Sequence, residues 1–217
     1  MEVDYTELYR LQDKVMDVIF SAENIFYLTG GTCLSRFYQE KRYSDDLDFF
    51  THDSSAFNRV LREIKTLLSD SFDVKEEVSS KDFVRLKIDE MLQVDFVNDR
   101  VMRYKKTKYL DNGYIIDNHE NILANKLTAV IGRDNAKDIF DIYLIDKFYD
   151  IDWQKILEIA HQKAGFSDDD LIIRLKTFPT SLFNGILLVD KSFLDDFIKE
   201  YIPLIDKIED VINKKLT

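Results

Sequence analysis

Asp46 and Asp48 stand two apart in the run Asp46-Leu47-Asp48-Phe49-Phe50. On a strand successive side chains alternate faces, so both carboxylates project to one side while Leu47 and Phe49 enter the core. Two like charges side by side are unfavourable unless something positive binds between them. Mg²⁺ is the natural candidate, a hard cation held by one or two carboxylates plus substrate phosphates; Mn²⁺ is the nearest substitute. A third acid, Asp95, lies between Val94 and Phe96 in another alternating run. If the two strands are neighbours, the three acids converge in the geometry by which two metal ions bridge an attacking and a leaving oxygen. Upstream, Gly30-Gly31-Thr32 falls at a strand-to-helix junction. Glycine lets backbone approach a phosphate, helix N-terminal amides attract anions, and Thr32 adds a hydroxyl donor. Lys126 and Arg133 are seven residues apart, two helical turns, so they share a face and together can neutralise a triphosphate.

Each feature has an ordinary reading when taken alone. A Gly-Gly pair is usually a turn, an Asp-x-Asp pair a solvated strand edge, and a lone strand Asp a charge that discourages edge pairing. Their order is what matters: Gly-Gly-Thr, thirteen residues, Asp-x-Asp, then an Asp inside a later strand.

The elements that must position these residues follow from periodicity. Leu8, Leu11, Val15, Val18 and Ile19 are spaced for a helix. Phe26 to Thr29 reads as a strand ended by the glycines, and Thr32 is placed to cap a short helix. Asp46 to Phe50 is a second strand, and Phe57 to Leu68 an amphipathic helix with Ser54 or Ser55 near its cap. Val84 to Ile88 and Leu92 to Val97 alternate as a hairpin across Asp89-Glu90. From Asp117 or Asn118 the pattern is helical, interrupted at Asp134-Asn135 and continuing through Ile139 to Phe148, Trp153 to Ala160, Leu171 to Leu175 and Phe193 to Leu216. The fold class is α+β: a small mixed sheet with flanking helices over residues 1–116, then a helical bundle over 117–217 that contributes Lys126 to the site.

The 217 residues carry 41 acidic against 30 basic side chains, a formal net charge of −11. That balance argues against a general nucleic-acid coat, whose affinity comes from phosphate neutralisation by Lys and Arg. A local exception is Arg100, Arg103, Lys105, Lys106 and Lys108, interleaved with Tyr104 and Tyr109; it suits an RNA backbone with base stacking, or equally a solvated loop. Cys33 is the single cysteine, so no intrachain disulfide forms, which fits a reducing cytoplasm. The acidic start lacks a basic region followed by an apolar stretch, and no apolar run approaches the ~20 residues of a membrane span. The three histidines, His52, His119 and His161, show no zinc spacing.

Gly30-Gly31-Thr32-Cys33-Leu34 followed by Arg42-Tyr43-Ser44-Asp45-Asp46-Leu47-Asp48-Phe49 resembles the first motif of the nucleotidyltransferase superfamily with a polymerase-β-type palm. Arg-x-Ser before the acidic pair is typical of its AbiEii/AbiGii-type group. Lys126-Leu127-Thr128-Ala129 with Arg133, then Lys137-Asp138-Ile139-Phe140-Asp141-Ile142-Tyr143, is similar to that group's later motifs. The resemblance covers roughly residues 25 to 150. It implies a mixed-sheet palm followed by a helical bundle, and Mg²⁺-dependent transfer of an NMP from an NTP to RNA, tRNA or protein, with pyrophosphate leaving. It also implies a toxin of a type IV toxin–antitoxin or abortive-infection system, with a cognate antitoxin as partner. By the resemblance Asp46 and Asp48 hold metal, with Asp95 as the third acid; Gly31 and Thr32 form the phosphate-binding turn, next to Gly30, and Lys126 is the triphosphate lysine. Arg42 and Ser44 orient the acidic strand or contact substrate. Asp138 and Asp141 are one helical turn apart and Lys137 and Asp141 an i, i+4 pair, so the three fit a salt-bridge role as well as an accessory catalytic one.

Other readings use the same residues. A haloacid-dehalogenase-type phosphatase also begins with Asp-x-Asp, but Phe50 stands where that motif has Thr or Val, and Gly-Gly-Thr is left without a role. A sugar-nucleotide glycosyltransferase is a further option. The non-enzyme alternative is an inactive palm-like module that binds nucleotide or a partner protein.

Overall fold

Helical spacing of Leu8, Leu11, Val15 and Ile19 builds the first helix, α1 (Tyr5–Ser21), whose N-terminal amides are capped by the Asp4 carboxylate. The computed structural model describes residues 4–22 and 25–215. The chain divides into two units, one formed by residues up to Phe37 together with Ser44–Asn118, the other by Tyr38–Tyr43 together with the chain from His119 onward. The division after Asn118 falls two residues beyond the expected one. The six residues 38–43, which carry Arg42, fold with the helical unit rather than with the sheet.

The first unit continues with β1 (Tyr27–Thr29), α2 (Gly30–Phe37), β2 (Asp46–His52), α3 (Phe57–Ser69), β3 (Val74–Ser79), β4 (Phe83–Ile88), β5 (Leu92–Asp99), β6 (Lys108–Tyr109) and β7 (Ile115–Ile116). They form one seven-stranded sheet in the order β3-β4-β5-β2-β1-β7-β6. The sheet is mixed: β2 runs parallel to β5 and β1 to β7, and the other neighbours are antiparallel. Alternation in β2 buries Leu47, Phe49 and Thr51 and leaves Asp46, Asp48 and Phe50 half-buried on the other face. On the buried face Phe49 stacks on Phe96, and Phe26 makes edge contacts to Phe96 and Phe57. These four rings tie the residue leading into β1 to β2, β5 and α3 in one core, so the acidic face is held by the packing of the opposite face.

Several elements differ from the periodicity. β3 is a solvent-facing strand of Val-Lys-Glu-Glu-Val-Ser whose side chains gave no alternation; its pairing with β4 makes the strand. β6 and β7 are two residues each, too short to show a period, and β6 falls inside the basic run. α2 begins at Gly30, before the expected cap at Thr32. The hairpin turn places Asp89 and Glu90 at φ of 50° and 52°, the left-handed conformation usually left to Asn-Gly.

The second unit contains α4 (His119–Gly132), α5 (Ala136–Phe148), α6 (Trp153–Lys163), α7 (Asp168–Lys176), a 3₁₀ turn over Thr180–Gly185 and α8 (Phe193–Lys215). α8 continues through Pro203. Leu216, the expected end of that helix, lies outside the described residues. Tyr38–Tyr43 is stapled into this unit by backbone bonds from Tyr43 to Leu187 (2.8 Å) and from Val189 to Lys41 (3.0 Å). Among the described residues no helix is long and apolar enough to cross a membrane.

Candidate active site

The strand register lays the acids out as a grid. Thr29 on β1 faces Asp48 on β2, Asp48 faces Asp95 on β5, and Asp95 faces Arg85 on β4. One pleat away, Asp46, Gln93 and Lys87 form the parallel row. Residues directly opposite share a face, with strands roughly 4.8 Å apart. Asp46, Asp48 and Asp95 therefore share one face of the sheet, and each row ends in a cation.

The three acids differ in their surroundings. Asp46 and Asp48 are half-buried at the start of β2. Asp95 is 7% exposed, and both its oxygens are taken by Arg85: Nε donates to Oδ1 at 2.8 Å and Nη2 to Oδ2 at 2.7 Å. Gln93 Nε2 donates to Oδ2 as well, at 3.3 Å. Among the described residues no three His, Cys, Asp or Glu side chains gather so as to hold one ion. The donor set fits Mg²⁺ as two carboxylates of one strand, an ion that completes its shell with water and substrate oxygen.

Gly30 is what makes room for Asp48. Its φ is +71°, and a Cβ there would stand 2.3 Å from Asp48 Oδ2. The carboxylate thus packs directly on backbone at the first residue of α2. Thr32 is fully buried, and its hydroxyl donates to the Asp46 carbonyl, tying α2 to the start of β2. Gly31 is buried beside it. Ser44 is buried too; its N–H donates to the Tyr9 hydroxyl (3.1 Å) and its carbonyl accepts from Gln12 (3.0 Å), which fixes the approach to β2 on α1.

One hub was not evident from the sequence. Asp117, just after β7, is completely buried and accepts from Thr29 Oγ1 (2.7 Å), Arg103 Nη2 (2.7 Å) and its neighbour's N–H, Asn118 (2.9 Å). Sequence reasoning saw it only as a helix cap; a buried acid needs a cation, and Arg103, fourteen residues back, was the available clue. Arg103 also stacks on the Tyr27 ring at 4.4 Å. Burial pushes the Cys33 thiol well up, and Asp117 adds to it.

The basic run is correspondingly divided. Arg103 is held inside by Asp117, and Arg100 pairs with Asp82 at 2.9 Å. Asn118 holds the loop by donating to the carbonyls of Tyr104 (2.9 Å) and Lys106 (3.3 Å). Lys105, Lys106 and Lys108 are exposed, and Tyr109 is 76% exposed on the edge strand β6.

In the second unit Arg42, Asp141, Lys126, Asp138 and Arg133 form an ionic chain that is buried except at Arg133. Arg42 and Asp141 are 2% and 1% exposed and pair through two bonds of 2.7 Å. Lys126 reaches Asp138 at 2.7 Å and Asp141 at 2.8 Å, and Arg133 pairs with Asp138 at 2.6 Å. Burial alone lifts the Asp141 carboxyl, but Arg42 and Lys126 outweigh it and hold it below the usual carboxylate range. For Asp138 the same burial is overcome by Lys126 and Arg133. Burial lowers Lys126, yet Asp141 and Asp138 leave its ammonium above the ordinary lysine value. Lys137 is the second residue of α5, its N–H donating to the Asn135 cap. In this unit Arg42 and Lys126 are committed to carboxylates.

A mixed sheet with an Asp-x-Asp strand beside a glycine that opens a helix, joined to a helical unit, is a nucleotidyltransferase fold. The chain belongs to the AbiEii family, described as nucleotidyl transferase toxins of type IV toxin–antitoxin systems, whose model matches residues 17–211. Its structure is similar to JHP933 from Helicobacter pylori (TM-score 0.61, 19% identity, covering 99% of this chain and 96% of that one). It is also similar to MenT4, a nucleotidyltransferase toxin from Mycobacterium tuberculosis (TM-score 0.62, 15% identity, 94% and 84% covered). In sequence it is 28% identical over 153 residues to an uncharacterised Aquifex aeolicus protein, covering 70% of this chain and 72% of that one.

Proposed function

We propose that the chain transfers an NMP from an NTP to an acceptor hydroxyl, as the toxin of a type IV system with a cognate antitoxin. The observation that carries this reading is Asp46 and Asp48 on one face of β2, with Asp48 set on the backbone of Gly30, in a chain of the AbiEii family. The acceptor oxygen bonds to the α-phosphorus, the bond to the α–β bridging oxygen breaks, pyrophosphate leaves with the electron pair, and the hydroxyl proton passes to water. Asp46 and Asp48 are the ligands for Mg²⁺, which supplies charge neutralisation on the phosphates. The protein's own part is positioning: Thr32 fixes the start of β2, Gly30 fixes Asp48, and the ring core behind them prevents the strand from yielding. RNA, tRNA included, is the proposed acceptor, met by Lys105, Lys106, Lys108 and Tyr109.

The test is incubation with each radiolabelled NTP, Mg²⁺ and either total RNA or total protein. Label entering RNA with one preferred base is expected. Asp48→Asn and Asp46→Asn should each lower transfer by about a thousandfold or more, the scale of removing a principal electrostatic group, without lowering the melting temperature. Full transfer by either variant would falsify the assignment; label entering protein instead would move the acceptor class.

A further inference from the structure

We propose that Arg85 keeps Asp95 out of the metal site, so that the protein holds one divalent cation, on Asp46 and Asp48, and uses the Arg85 guanidinium as a built-in second positive charge. The proposal rests on the assignment of Asp46 and Asp48 as metal ligands. It replaces a site of three carboxylates and two metals with two carboxylates, one metal and one arginine–carboxylate pair.

Register is the first argument. Asp48, Asp95 and Arg85 are consecutive in one row across β2, β5 and β4, so the arginine lies on the far side of Asp95 from the acidic pair. Geometry is the second. Two parallel bonds of 2.8 and 2.7 Å are the bidentate fork by which guanidinium binds carboxylate most strongly, and Gln93 adds a third donor to the same group. A second divalent cation on Asp95 would have to share that carboxylate with a charge that cannot be removed by deprotonation. Third, Arg85 is held where it is. Its guanidinium lies 5.6 Å from the Phe83 ring centre, and Glu77 and Asp48 add to the attraction of Asp95. Fourth, its side chain is one-third exposed, so the pair borders solvent on the acidic face rather than being sealed in the core. Lys87, which ends the other row, donates instead to the Met91 carbonyl of its own hairpin.

Arg85 is on this reading a positioning residue acting through Asp95. A metal ion arrives and departs with the nucleotide; a guanidinium stays, so Asp95 remains compensated between turnovers and Asp48 is spared an unpaired like charge one strand away.

Counting bound Mn²⁺ on the full chain, from the spectrum of free ion during titration, tests this directly. Wild type and Asp95→Asn should both bind one Mn²⁺ with affinities within about threefold. Arg85→Gln should bind two, because Asp95 is released, and Arg85→Lys should return to one. Two ions on wild type, a tenfold weaker Mn²⁺ in Asp95→Asn, or a single ion in folded Arg85→Gln would each overturn the proposal. If Arg85→Gln does not give a wild-type circular dichroism spectrum, the Asp95→Asn titration decides alone. Failure of the underlying assignment looks different: wild type binds no Mn²⁺, or Asp48→Asn binds it as wild type does.

Discussion

Replacing Gly30 with alanine would ask a methyl group to occupy the place of an Asp48 carboxylate oxygen, 2.3 Å away, at a backbone φ of +71°. Neither demand can be met locally. The left-handed conformation costs a non-glycine residue about 1–2 kcal/mol, and the clash is with a short side chain anchored on a strand, not with the end of a flexible one. Asp48 must therefore move. A displacement of about 1 Å in a reacting group costs on the order of a hundredfold in rate. Gly30→Ala is expected to lower NMP transfer by about that factor while lowering stability by only about 1–3 kcal/mol, read by label transfer and by urea unfolding. Gly31→Ala separates the explanations, since Gly31 lacks the positive φ of its neighbour. Activity of Gly30→Ala equal to that of Gly31→Ala would show that the Asp48 contact does not matter. The need for glycine at position 30 thus comes from the protein's own carboxylate, whatever phosphate later approaches the turn.

The second unit places its charges differently, because α4 and α5 bury theirs. Arg42, Asp141, Lys126, Asp138 and Arg133 alternate in sign along one chain of contacts. Removing one partner leaves a buried charge uncompensated, which costs about 3–5 kcal/mol, a large part of the ~5–15 kcal/mol that holds a typical domain. Asp141→Asn is expected to lose that much in urea unfolding, whereas the paired apolar change Arg42→Met with Asp141→Leu should lose clearly less, since both charges go together. The pH dependence has a definite sign. Asp138 and Asp141 titrate below their ordinary value when folded, so their contribution is fully present above the unfolded value near 3.9 and is lost as pH falls through the folded one. Lys126 titrates above its ordinary value, so its share is present below about 10.4 and is lost as pH rises through the folded value. Between these limits the network contributes no slope, and Asp141→Asn should flatten the acid limb and, because Asp141 also raises Lys126, weaken the alkaline one. At this scale the sequence was partly readable. Alternation revealed β2, β4 and β5, because each has one buried face, and spacing revealed α1, α3 and α5. β3 had no buried face to pattern, β6 and β7 were too short, and residues 38–43 join the second unit through backbone bonds with Leu187 and Val189 that no side-chain pattern records. Asp48 and Asp95 were legible as strand acids, since each is flanked by apolar neighbours, and Asp46 by its spacing of two from Asp48. Arg85 was visible only as the polar half of an alternation. Its partner is set by register, and register was not in the sequence pattern of either strand alone.

For the whole molecule, a net charge of −11 sets a condition on any RNA acceptor. Association must begin where the local field is positive, because the rest of the surface repels phosphate. The run from 100 to 108 supplies that field, but its five cations are not equivalent. Arg100 and Arg103 are spent on Asp82 and Asp117, and what their pairing achieves is to hold the loop that presents Lys105, Lys106 and Lys108 next to the exposed Tyr109 on edge strand β6. Neutralising the three lysines to Gln should therefore weaken RNA binding and reduce the slope of log affinity against log salt by about 2, at ~0.7 per phosphate contact on single strands. The melting temperature should stay within a degree or two, because all three lysines are solvent-exposed. Arg103→Gln should do the reverse: it removes a charge-assisted bond from the buried Asp117 and lowers stability by about 3–5 kcal/mol. Salt titrations of RNA binding, run beside thermal melts, check both. A slope unchanged by loss of all three lysines would mean that the acceptor meets the protein elsewhere, and that this loop is a solvated connection whose charge only offsets the acids around it.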